Sequence, residues 1–105
     1  MKFEKNVSSS QVLAELDITN PTIANIQAQV IGTLNGTFYV EFSNDSDFLG
    51  WVRNSDLDTT FSAPTVDKVM FDISLVGAKK ARLGIEVASG SALIKGIGFA
   101  KDSEE

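Results

Sequence analysis

Apolar side chains recur at every second position along most of this chain, and that alternation is the strongest constraint on its fold. Successive side chains of a strand point to opposite faces, so a period of two marks half-buried β-strands. Helical periodicity is almost absent. The clearest run is Thr37 to Ser43, with Phe38, Val40 and Phe42 on one face and Thr37, Tyr39, Glu41 and Ser43 on the other. Val69, Phe71, Ile73 and Leu75 repeat the pattern up to Val76-Gly77, as do Ala81, Leu83, Ile85 and Val87. From Gln11 to Ile18 one face holds Val12, Ala14, Leu16 and Ile18, and Asn20-Pro21 then breaks the strand. Ile26, Ala28 and Val30 alternate with Gln27 and Gln29, which are uncharged and suit a wet or partner-facing surface.

Turn chemistry separates these runs. Asn44-Asp45-Ser46-Asp47 carries side chains that hydrogen-bond their own backbone, so it should close a hairpin onto a short returning strand, Phe48 to Arg53, that bears Trp51. The stretch from Asn54 to Pro64 is the least regular. Gly96 and Gly98 in the last strand, Ala92 to Ala100, predict a bulge or a close backbone approach. About seven or eight strands near ten residues apart predict an all-β fold, a single antiparallel β-sandwich of jelly-roll or immunoglobulin-like kind, with a small closed barrel as the other option. Residues 1–10 are polar enough to predict a flexible N-terminal arm that could order against a neighbour. Residues 11–100 form the sandwich domain, and 101–105, KDSEE, an acidic tail.

Composition narrows the chemistry. The 105 residues include no cysteine and no histidine, which removes disulfides, thiol nucleophiles, imidazole bases and the usual zinc ligands. No G-x-S-x-G motif is present, and the glycines precede no helix, so hydrolase and dinucleotide fingerprints do not apply. The expectation is a protein that is not an enzyme and holds no cofactor or metal. A net charge of −5 argues against nucleic acid as a partner. MKFEKNVSSSQ lacks the apolar run of an export signal, and no apolar stretch approaches a bilayer's thickness, so no membrane association is expected.

Three surface constellations carry functional alternatives. Asn44, Asp45 and Asp47, joined by Asp56 and Asp58, offer oxygen ligands to calcium but lack the spacing of an EF-hand, and turn formation accounts for them. Trp51 and Tyr39 could form an aromatic platform for a sugar ring, with the Asp45 region tuning a metal or hydroxyl contact; the competing reading is a core tryptophan and a cross-strand tyrosine. Lys79, Lys80 and Arg82 guard a strand edge, or hold an anion if Arg53 and Lys95 fall on the same side.

Two segments carry a family resemblance. GTFYVEFSNDSDFLGWV, Gly36 to Val52, places Gly36, Thr37, Val40, Ser43 and Asp45 ahead of Trp51. VGAKKARLGIEVASGSALIKGIGF, Val76 to Phe99, runs from Val76-Gly77-Ala78 through Lys80, Arg82 and Leu83 into Ser89-Gly90-Ser91. Together they resemble small β-sandwich structural proteins of bacteriophage particles. The resemblance implies a virion part made in the host cytoplasm: a capsid decoration, spike, fibre or tail component that contacts other virion proteins as a symmetric homo-oligomer. No catalytic residue carries over. On that reading Gln27, Gln29 and Thr37 are the interface residues, and a carbohydrate-binding module using Trp51, Tyr39 and Asp45 is the alternative, with a glycan as ligand.

Overall fold

The structure is a computed structural model that describes residues 2–17, 22–62, 65–73 and 78–101, with side chains throughout except at 22–24, 65–67 and 100–101. Nine strands form among these residues: β1 Lys2–Val7, β2 Gln11–Asp17, β3 Thr22–Gly32, β4 Asn35–Ser43, β5 Val52–Arg53, β6 Thr59–Phe61, β7 Thr65–Asp72, β8 Lys80–Ser89 and β9 Ala92–Lys101. One 3₁₀ turn, Ser55–Leu57, lies between β5 and β6. Every pairing is antiparallel. The first sheet has the order β1-β9-β3-β7; the second runs β2-β8-β4-β5, with β6 also on β4. No helix among the described residues is long and apolar enough to cross a membrane.

The two sheets enclose one core. Ile26, Ala28, Val30, Phe71 and Ile94 face inward from the first sheet, and Leu13, Leu16, Phe38, Val40, Ala81, Leu83 and Ile85 from the second. Phe38 is the central piece: its ring centroid lies 5.3 Å from that of Phe61 and 5.7 Å from that of Phe71, so it joins the sheets through tilted and edge-on ring contacts. The alternating positions of β4 and β8 therefore bury the faces expected of them.

Several expectations are corrected. Lys2–Val7, expected to belong to a flexible arm, is an edge strand paired with β9 from Lys2↔Ile97 to Val7↔Ala92. Its polar side chains face solvent, while Val7 is buried and Phe3 packs on the core. In β2 a register shift between Val12 and Ala14 changes the phase, so Leu13 and Leu16 are buried and Val12 and Ala14 only half-buried. Gly96 and Gly98 carry no bulge; β9 keeps register with β3 from Asn25↔Phe99 to Gly32↔Ala92. Gly96 instead makes room for the Phe3 ring, into which a Cβ would run. The returning strand is only Val52–Arg53, because turn residues occupy Ser46 to Leu49. Ile18, Asn20-Pro21, Leu75, Val76-Gly77 and the tail beyond Lys101 lie outside the described residues.

Candidate functional site

The outer faces of the two sheets differ, and the difference decides where a partner can sit. On the second sheet, the outward residues of β4 and β8 are cross-strand neighbours: Tyr39 opposite Gly84, and Glu41 opposite Arg82, with Arg53 of β5 opposite Glu41 on its other side. Arg82 donates through Nε to Glu41, and its guanidinium lies 4.4 Å from the centre of the Trp51 ring. Arg53 binds both oxygens of Asp58 at 3.1 Å and reaches both oxygens of Glu86 at 3.1 Å, while stacking 4.7 Å from the centre of the Tyr39 ring. Those hydrogen bonds, Glu86 first and Asp58 second, raise the arginine's pKa and hold it charged. Gly84 permits the arrangement, since a Cβ there would meet the Tyr39 ring.

This face is therefore covered by its own side chains. Trp51 is not in the core; it lies half-buried just before β5. It and Tyr39 share a face, as a sugar platform requires, but each ring already has a guanidinium stacked on it. Asp45 is occupied locally: Oδ1 accepts the backbone N–H of Asp47 at 3.1 Å and of Phe48 at 3.0 Å, and its carbonyl accepts from Leu49 at 2.9 Å. The turn chemistry anticipated for Asn44 to Asp47 is thus what holds the loop. Asp58 is bound to Arg53, and no group of three or more acidic side chains among the described residues is placed to hold a metal ion. The basic set does not assemble either, because Arg53 and Arg82 are neutralised on this sheet while Lys95 lies on the other. For Trp51→Ala we expect a folded protein that loses about 1 kcal/mol in urea unfolding, the scale of an exposed cation–π stack, where a core tryptophan would cost about 3–5 kcal/mol.

The first sheet's outer face is bare. Register places its outward side chains in rows across β1, β9, β3 and β7: Lys2, Ile97, Gln27, Met70, then Glu4, Lys95, Gln29, Lys68. Phe99 and Asn25 flank one side of these rows, and Leu93 and Ile31 the other. Ile97 is 54% exposed, Phe99 56% and Met70 61%. A shallow groove of about 570 Å³ crosses the face between the two rows. Gln27 and Gln29 therefore sit together at the centre of an open surface. Thr37 does not join them: it lies half-buried on the second sheet, its hydroxyl 2.9 Å from that of Thr60. The exposed Ile97, Phe99 and Met70 were not singled out from the sequence, although their alternation with buried positions carried that signal. A second apolar feature, the turn carrying Phe48 at 83% exposure and Leu49, projects from the end of the second sheet.

The arrangement defines a two-sheet antiparallel β-sandwich-like protein with one self-covered face and one open face. This fold is shared with the solved structure of the SPBc2 prophage-derived protein YomS, which superposes with a TM-score of 0.53 at 12% sequence identity over 93% of this chain and 94% of that one. No protein-family model and no curated protein sequence matches the chain.

Proposed function

We propose that this protein is a non-enzymatic structural component of a phage-type particle, working by assembly with other protein surfaces through the open face of the first sheet. The observation that carries the reading is the contrast between the two faces. Ile97, Phe99, Met70 and Ile31 stand exposed around Gln27 and Gln29, beside Lys2, Glu4, Lys68 and Lys95, which form no ion pair with one another among the described residues, whereas the opposite face satisfies its charges internally. The likeness to a prophage-derived protein and the two resembling segments support the phage setting. Edge strand β1 offers backbone groups for strand addition as a second mode of contact. The carbohydrate reading is weaker because the rings it needs are stacked under Arg53 and Arg82.

The test is incorporation. A tagged chain made in a host that carries the phage should co-purify with particles through a density gradient and be detected in them by mass spectrometry. A chain found only in the particle-free fraction would defeat the reading.

A further inference from the structure

We propose that the open face of the first sheet pairs with the same face of a second copy about a two-fold axis, registered by Glu4. The inference rests on the assembly reading above and names one partner for that surface: this chain itself.

Three observations lead there. The first is size. Four strands about 4.8 Å apart and a ten-residue strand rising about 3.3 Å per residue give a footprint of roughly 600 Å² per copy, so roughly 1,200 Å² for both. That reaches the lower bound of stable protein interfaces. The second is charge placement. The two central rows hold Lys2, Lys68 and Lys95 but a single carboxylate, Glu4, and none of Glu4, Lys68 and Lys95 takes part in an ion pair among the described residues. Lys2 and Lys68 lie on the edge strands β1 and β7, where their long stems can cover apolar surface while the ammonium groups stay in water at the rim.

The third is symmetry. When two copies stack face to face, the two-fold axis lies in the interface and runs either along the strands or across them. Along the strands, between β9 and β3, the row order reverses: Glu4 meets Lys68 of the second copy, Lys95 meets Gln29, Ile97 meets Gln27, and Leu93 meets Ile31. Across the strands, between the two rows, Glu4 meets Lys2 of the second copy, Lys95 meets Ile97, Phe99 meets Leu93, and Gln27 meets Gln29. In both settings Glu4 lands on a lysine and no lysine lands on another, while Asp72, an exposed carboxylate of the same face, lies outside the two central rows. A self-complementary face of this kind closes as a dimer and does not propagate.

Sedimentation equilibrium of the full chain from about 1 to about 300 µM covers the range expected for an interface at the small end. The wild type should approach twice its 11.3 kDa mass. Glu4→Lys, at an exposed position, should keep the wild-type circular dichroism and weaken dimerisation at least about tenfold, the scale of one lost charge pair turned repulsive. Adding Lys68→Glu should restore it if the axis runs along the strands, and adding Lys2→Glu if it runs across; either restoration supports the proposal. Ile97→Lys, which sets an ammonium group against Gln27 of the second copy if the axis runs along the strands and against Lys95 if it runs across, should give a folded monomer. A wild type that is monomeric throughout, a Glu4→Lys protein that dimerises as before, or rescue by neither second change would overturn it. A monomeric chain that still enters particles would remove this inference and leave the assembly reading standing; a dimer that never enters particles would do the reverse.

Discussion

Phe38→Ala should lower the free energy of unfolding by about 3–5 kcal/mol, the range for deleting a buried aromatic ring and a large share of the about 5–15 kcal/mol that holds a domain of this size folded. Phe38 is fully buried, and its ring touches Phe61 of its own sheet and Phe71 of the other. Truncation therefore opens a cavity between the layers and removes contacts that hold them together. The neighbouring core residues sit on strands whose register is set by ladders on both sides, β3 by β9 and β7, β8 by β2 and β4, so the backbone has little freedom to collapse into the space. Urea unfolding followed by tryptophan fluorescence and circular dichroism measures the loss. A change below about 1 kcal/mol would mean that the ring is not at the junction of the sheets.

Removing residues 1–7 should cost about 3 kcal/mol or more, summing a buried valine, a half-buried phenylalanine and the edge-strand ladder. Val7 is 1% exposed, Phe3 lies against Gly96, and six register pairs link β1 to β9. The loss would also expose β9 as a new sheet edge, which invites aggregation. An unattached arm would instead come off with no change in the unfolding midpoint, so the same urea titration separates a strand from an arm.

The contrast between these two predictions shows what was legible in the residues. Phe38, Val40 and Phe42, and Ala81, Leu83 and Ile85, alternate in central strands buried on one face, where the hydrophobic pattern alone selects the inner side. KFEKNV offers only Phe3 and Val7 to such a pattern; as an edge strand at the rim of the core, it is held by backbone pairing that composition does not register. In β2 the pattern was visible but its phase was not, because the shift between Val12 and Ala14 is a property of the ladder with β8. Trp51 shows the same limit for the surface. Its position after an Asp-rich turn was readable, but its stack with Arg82 depends on β4 and β8 lying side by side, over thirty positions apart in the chain. Gln27 and Gln29 were readable as an uncharged outer face; the apolar residues around them come from β9 and β7, and only the sheet order brings them together.

Hydroxyl-radical footprinting across the concentration range of association tests most directly the claim that binding belongs to the first sheet. On association, oxidation of Met70 and Phe99 should fall while that of Tyr39 and Trp51 stays unchanged. Protection of Tyr39 and Trp51 with Met70 and Phe99 unaffected would place the working surface on the opposite sheet and contradict the account.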